Sequence, residues 1–149
     1  MSNLITLLRD SKIIVPPIQR DYAQGRSSGK VPVIRMRFID SIYNALTNEN
    51  EPPLELDFIY GYNEVDRVNN ADVMIFKPLD GQQRLTTLFL VHWFIANKEN
   101  CMVEAKPLLS KFSYATRESS RLFCEELINF TIDFNSVLKV DEQIINQPW

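Results

Sequence analysis

The chain has 149 residues, 45% of them hydrophobic, with 16 basic and 19 acidic side chains and a formal net charge of −3. This length fits one domain, and this apolar content supports a buried core and argues against intrinsic disorder. A mildly acidic chain is poorly suited to electrostatic wrapping of DNA over its whole surface, although a local basic site near the N-terminus is compatible with it.

Two further features bear on the compartment. No apolar run approaches a membrane span, and residues 1–10 lack the apolar core of a signal peptide. The cysteines, Cys101 and Cys124, have no CxxC spacing, so neither a zinc site nor a disulfide framework is indicated. We therefore expect a cytoplasmic protein with reduced thiols.

In chain order, the first half predicts a helix over residues 4–9 and an extended strand over 13–18, which its prolines confine to an edge or a strand end. The polar residues 20–30 predict a long loop, and such loops in compact domains are usually functional. Pro32 opens a second helix, which ends within 48–53. Its predicted apolar face comprises Val31, Ile34, Phe38, Ile42, Tyr43 and Leu46.

The second half predicts a hairpin and several helices. Residues 54–61 and 73–76 predict antiparallel strands joined by a polar turn over 63–72, since no helix lies between them. Residues 82–97 predict a helix that is apolar almost all round and therefore lies in the core. The remaining predicted elements are a strand over 108–114, a helix over 117–130 and the start of a helix over 141–146.

The strongest functional candidate is the segment DGQQRLTT, residues 80–87. A strand, an Asp-Gly turn and a buried helix would present the N–H groups and the positive dipole end of that helix at one point. Gly81 allows a ligand to approach the backbone closely. Arg84 lies in the first turn, where a cation opposes the helix dipole, so its presence there indicates an anion such as phosphate.

Other side chains of this segment suit the same ligand. Thr86 and Thr87 offer hydroxyls, and Asp80 can hold a metal ion or orient a water or a substrate hydroxyl. A purely structural interpretation is also open on the residues alone. In it Asp80 is an N-cap, Gln83 reaches back as in a capping box, and Arg84 pairs with a surface carboxylate.

A second cluster lies in residues 17–26, where Gln19, Arg20, Tyr22 and Arg26 follow the first strand. The two arginines are candidate phosphate or base contacts, and the tyrosine can stack on a base. The alternative is a solvated loop whose arginines pair with the acidic stretch 49–66. A P-loop pattern is absent. The single histidine, His92, lies mid-helix among apolar residues, so acyl transfer through a Ser/His/Asp or Cys/His arrangement is poorly supported.

Together, IVPPIQRDYAQGR and PLDGQQRLTTLFLVHWF resemble the N-terminal domain of GmrSD-type modification-dependent restriction endonucleases, and FSYATRESSRLFCEEL resembles a later segment of one subgroup. The resemblance implies an α+β fold of the ParB/sulfiredoxin-like type. Such a domain has a small mixed sheet with packed helices and a central strand–DGQQR turn–buried helix unit. In that fold the turn formed here by Gly81, Gln82, Gln83 and Arg84 holds nucleotide phosphates.

The resemblance further implies a domain that binds a nucleoside triphosphate and hydrolyses it to regulate DNA cleavage by a separate nuclease domain, often of HNH type. Arg84 would neutralise phosphate, Asp80 would hold Mg²⁺ or position water, and Gln82 or Gln83 would orient the nucleophile. Many members have a Trp shortly after the tyrosine of the first motif. Because this sequence lacks that Trp, a role for Arg20 is better supported than stacking on Tyr22.

We expect the DGQQR domain to span residues 1–130 and residues 131–149 to begin a further helical region that is truncated after Trp149. Two other functions stay open. One is a DNA-sensing module without catalysis that uses Arg20, Arg26 and Lys30. The other, ranked last because no carboxylate–histidine metal cluster is visible, is a direct metal-dependent nuclease. The base preference, the DNA modification sensed and the oligomeric state cannot be read from the sequence.

Overall fold

The computed structural model describes residues 3–17, 29–50, 52–115 and 118–147. These ranges form an α+β fold, as predicted. Its elements, in chain order, are α1 (Leu4–Asp10), β1 (Lys12–Val15), α2 (Val31–Thr47), β2 (Gly61–Val68), β3 (Ala71–Pro78), α3 (Gln82–Lys98), α4 (Met102–Leu109), β4 (Phe112–Tyr114), α5 (Glu118–Leu127) and α6 (Val140–Ile145).

The strands form one mixed sheet in the order β2-β3-β1-β4. β1 pairs in parallel with both β3 and β4, while β2 pairs antiparallel with β3. Since β1, β3 and β4 run in the same direction, their C-terminal ends lie at one edge of the sheet, where ligands bind in many α/β proteins. The turn that follows β3 begins the DGQQR segment, which therefore lies at this edge.

The core lies between the sheet and the helices, and α3 supplies its largest buried side chain. Phe89 is fully buried and stacks on Phe112 of β4 with ring centroids 4.8 Å apart. Trp93, one turn further along α3, donates its Nε1–H to the carbonyl oxygen of Leu127 at 2.7 Å. Because a buried indole N–H needs a partner, this bond fixes α3 against the end of α5.

The hairpin is confirmed as antiparallel, but its first strand lies later than predicted. Residues 52–60 have no regular structure, and β2 occupies most of the predicted polar turn. The turn is only two residues long, Asn69 and Asn70, with φ of 51° and 64°. Asparagine tolerates the positive φ that a two-residue hairpin turn requires, so the ladder continues almost to the tip. The side chains of β2 are largely exposed, and its sequence therefore resembles a loop.

Two helices bury less than their sequences predict. α3 is not apolar and buried all round, because Phe94 and Ile95 are 39% and 41% exposed. α2 has an apolar face in its sequence but no buried residue, and Tyr43 and Leu46 are 64% and 69% exposed. The amphipathic pattern gave the correct helices in both cases. It could not show how much of each apolar face other elements cover.

α5 and α6 lie where helices were predicted over 117–130 and 141–146. The predicted strand over 108–114 is reduced to β4 because α4 extends to Leu109. Ile132 belongs to the same core as α3, and Ile144 packs against it. The domain division at residue 130 stays a prediction. Burial raises the pKa of the Cys124 thiol to about 12, so this cysteine stays neutral near pH 7. Within the described ranges, no helix has the length and apolar character needed to cross a membrane.

Replacing Phe89 by alanine tests the assignment of the core. Phe89→Ala should lower the free energy of unfolding by about 3–5 kcal/mol, because it removes a buried ring and leaves a cavity. Phe94→Ala, on the same helix but 39% exposed, is the matched control and should cost about 1 kcal/mol or less. Urea denaturation followed by circular dichroism measures both, and equal losses would contradict this assignment.

Candidate functional site

The DGQQR turn joins β3 to α3 through a left-handed residue. Gly81, not Asp80, is the N-cap of α3, with φ 84° and ψ 6°. The turn is fixed from the other side by Tyr60, whose carbonyl oxygen accepts the backbone N–H groups of Leu79 and Asp80 at 2.9 and 3.1 Å. The N-terminus of α3 therefore starts at a defined point, and Gly81 has no side chain with which to cap it.

Arg84 lies in the first turn of α3 and is surrounded by oxygen atoms. Its Nη2 donates to the carbonyl oxygen of Phe58 at 2.8 Å. Its Nη1 lies 3.4 Å from a carboxylate oxygen of Asp57, and its Nη2 lies 3.6 Å from one of Asp80. The Arg84 side chain is 22% exposed, against 91% for Asp57 and 65% for Asp80. The cation is thus half enclosed, and its carboxylate partners lie towards solvent.

The Nε of Arg84 is buried and has no hydrogen-bond partner in the part of the chain that the structure describes. A buried guanidinium N–H without a partner costs free energy, since this group hydrogen-bonds strongly in water. The sequence left two interpretations of Arg84 open, attraction of an anion such as phosphate and pairing with a carboxylate. Among the described residues its anionic partners are Asp57 and Asp80.

A hydrophobic contact covers the glycine of the turn. A Cβ atom built on Gly81 would lie 2.6 Å from Cγ1 of Ile59, which is closer than real Cβ atoms approach other carbons. Glycine is therefore required here twice, by its positive φ and by the packing of Ile59. The face of Gly81 that we expected to admit a ligand is occupied by this side chain.

The two threonines bond within the protein. Thr86 and Thr87 are 5% and 3% exposed, and their hydroxyls donate to the carbonyl oxygens of Gln82 and Gln83 one turn back. The Thr86 hydroxyl also lies 2.6 Å from the hydroxyl of Tyr114, at the end of β4. The Thr86–Tyr114 contact joins the first turns of α3 to the parallel edge of the sheet. Ligand contacts by either threonine stay a prediction.

The glutamines differ in exposure. Gln82 is 7% exposed, whereas Gln83 is partly exposed in the same turn. Of the two, Gln83 is the better placed to reach a molecule bound outside the turn. The side chain of Asp80 is 65% exposed, which leaves its carboxylate accessible to a metal ion or to water.

The second predicted cluster, Gln19, Arg20, Tyr22 and Arg26, lies outside the described residues, and its roles stay predictions. The preceding strand is described. β1 ends at Val15 beside β3, and the two strands are parallel, so residues 16–17 leave β1 at the sheet edge where the DGQQR turn lies. Among the described residues there is no group of three or more His, Cys, Asp or Glu side chains suited to a metal.

The site contains five residues that the sequence analysis did not assign to it, namely Asp57, Phe58, Ile59, Tyr60 and Tyr114. The sequence predicts the acidic stretch that contains Asp57 as a partner for Arg20 and Arg26, not for Arg84. Phe58 contributes only its carbonyl group, which no side-chain pattern can reveal. Tyr114 ends a predicted strand, and its position at the same sheet edge follows only from the strand order.

The fold and the site define an α+β domain with a DGQQR turn and a half-enclosed arginine at the parallel edge of a mixed sheet. Residues 4–147 match the family described as GmrSD restriction endonuclease, N-terminal domain. The chain belongs to this family, which confirms the resemblance seen in the sequence and makes the chain part of a restriction protein. No curated protein and no solved structure matched it. The ParB/sulfiredoxin-like character of the fold stays a prediction.

Substitution of Gly81 tests the contact with Ile59. Gly81→Ala should lower the free energy of unfolding by the roughly 1–2 kcal/mol of a left-handed non-glycine residue, plus about 1–3 kcal/mol of overpacking. Gly29→Ala is the matched control, because Gly29 has φ 65° but nothing within 4 Å of the added Cβ. Urea denaturation measures both losses. If Gly81→Ala costs no more than Gly29→Ala, the close contact with Ile59 is absent in solution.

Proposed function

We propose that this chain is the nucleotide-binding regulatory domain of its restriction protein and that it holds the nucleotide phosphates at Arg84. The observation that supports this most directly is the placement of Arg84 in the first turn of α3, 22% exposed and contacted by three oxygen atoms. A phosphate presents several oxygens to a guanidinium in the planar arrangement that this group prefers.

The electrostatics of the turn favour the same ligand. A cation in the first turn opposes the positive end of the helix dipole, so Arg84 gains nothing from α3 itself. A bound phosphate would interact favourably with both the guanidinium and the helix N-terminus. The position of the turn at the C-terminal edge of parallel strands is the usual location of such sites in sheets with parallel strands.

Mg²⁺ fits this site as a companion of the phosphates rather than as a separately held ion. Mg²⁺ in proteins is commonly held by one or two carboxylates together with substrate phosphates, and the exposed carboxylate of Asp80 lies next to Arg84. When bound, the ion would neutralise charge on the phosphates. Asp80 would hold it or position a water, and Gln83 or Gln82 would orient that water if the domain hydrolyses its nucleotide.

In this proposal DNA is cut by a nuclease domain of the parent protein, and the state of the nucleotide regulates that cleavage. Arg20 and Arg26 would form a second, basic wall of the site, with Gln19 and Tyr22 nearby in the sequence. The alternative of a DNA-sensing module would use the same basic loop together with Lys30. Nucleotide binding should depend on Arg84, whereas DNA binding through this loop should not.

Replacing Arg84 tests the nucleotide site. Arg84→Ala should weaken binding of ATP or GTP by about ten- to hundredfold, because a hydrogen-bonded charged contact contributes roughly 1.5–3 kcal/mol. Arg121→Ala is the matched control, since Arg121 is an exposed arginine on α5 that pairs with Glu125 at 2.9 Å. It should leave the affinity within about twofold. Calorimetric titration with and without Mg²⁺ measures the affinities, and circular dichroism confirms that both variants fold.

Unchanged affinity in Arg84→Ala would show that Arg84 does not hold the phosphates. DNA binding that depends steeply on salt and persists in Arg84→Ala, without any nucleotide affinity, would favour the DNA-sensing alternative.

A further inference from the structure

We infer that residues 57–59, here termed the strap, are an internal competitor of the phosphate ligand and must leave the turn before a ligand can bind. This inference rests on the proposed function, because it concerns the regulation of the same site. It is based on two independent contacts. The strap neutralises the cation of the site, and it also covers the glycine of the site.

The first contact is polar. Asp57 and Phe58 supply two of the three oxygens around the Arg84 guanidinium, a carboxylate oxygen at 3.4 Å and a carbonyl oxygen at 2.8 Å. Together with Asp80, Asp57 gives the site two negative charges against one positive charge, so a bare anion meets net repulsion. A phosphate can bind the Arg84 guanidinium only if it displaces the Asp57 carboxylate and the Phe58 carbonyl oxygen.

The second contact is apolar. Ile59 is partly buried and lies against Gly81 so closely that an added Cβ would be 2.6 Å from its Cγ1. The backbone of a glycine turn can hold phosphate only where the ligand reaches it, and this side chain takes that space. One short segment thus blocks both the charged and the backbone part of the site.

The strap is built to be released at low cost. It has no regular secondary structure, and the Phe58 side chain is 92% exposed, so its departure uncovers little apolar surface there. The carboxylate of Asp57 is 91% exposed, and ion pairs at such positions are weak. Tyr60, directly after the strap, stays anchored because its carbonyl oxygen accepts the N–H groups of Leu79 and Asp80. This residue is therefore the pivot.

The relative strengths of these contacts determine how a ligand would displace the strap. A metal-complexed phosphate offers Arg84 stronger oxygen ligands than the Phe58 carbonyl and the exposed Asp57 carboxylate. As it binds, Asp57 and Ile59 move away while Tyr60 stays attached to the turn. Ligand binding is thereby coupled to the position of an exposed segment, which can report the state of the site to other parts of the restriction protein.

The test is the affinity of the chain for Mg²⁺–pyrophosphate, measured by calorimetry at fixed ionic strength. Asp57→Asn preserves the shape of the side chain and removes its charge, and it should tighten binding about two- to fivefold, the fold-change that corresponds to an exposed ion pair. Ile59→Ala removes the cover of Gly81 without changing any charge, and it should tighten binding at least about twofold. Glu55→Gln is the matched control for charge, because it removes an exposed carboxylate two residues before the strap.

Tighter binding in Asp57→Asn and Ile59→Ala, with Glu55→Gln unchanged, supports the inference that the strap competes with the phosphate ligand. Equal gains in Asp57→Asn and Glu55→Gln would show a general charge effect and overturn it, as would a gain in Asp57→Asn without one in Ile59→Ala. Wild-type binding that no strap variant alters overturns the strap but leaves the proposed function intact. Absence of binding of both pyrophosphate and ATP in wild type and all variants overturns both.

Discussion

The geometry of this domain depends on the left-handed conformation of Gly81. At φ 84°, Gly81 ends the three-residue turn that leads from β3 into α3. The missing Cβ also leaves room for Ile59, so residues 57–60 lie across the turn instead of passing at a distance. That proximity brings the Phe58 carbonyl within 2.8 Å of Arg84. A side chain at position 81 would separate these groups, and the arginine would lose its enclosure.

Helix α3, which follows Gly81, is held in place by tertiary contacts along its length. Phe89 stacks on Phe112 of β4, Trp93 bonds to the carbonyl of Leu127, and the Thr86 hydroxyl contacts that of Tyr114. These contacts lie on successive turns of α3 and all reach the β4–α5 part of the fold. A ligand site at the N-terminus of such a helix is preorganised, because little backbone freedom is lost when the ligand binds. Movement at the site is then left to the strap.

Sequence reasoning succeeded where the signal is local. The strand–turn–helix unit around residues 80–87, the antiparallel hairpin and most helices follow from apolar spacing and from the Asp-Gly turn. It failed for β2, because the exposed polar side chains of this strand have the composition of a loop. It also did not locate the Asn69–Asn70 turn, because several other asparagines and aspartates lie close by in the sequence. The strap could not be predicted, since its partner Arg84 lies 26 residues after Phe58 and the contact is made by a backbone carbonyl. The pattern of residue types contains no information about such a contact.

The carboxylates of Asp57 and Asp80 lie beside the guanidinium of Arg84 and set its affinity for other anions. A lone arginine at a helix N-terminus would bind any available anion, including the phosphates of nucleic acid, with little selectivity. With Asp57 and Asp80 beside it, the same arginine is neutralised until a ligand offers better oxygens and a cation for the carboxylates. In the proposed function, pairing with a carboxylate and binding of a phosphate are two states of one group. The weakness of exposed ion pairs would allow exchange between them, and the enclosure of the guanidinium would make that exchange selective.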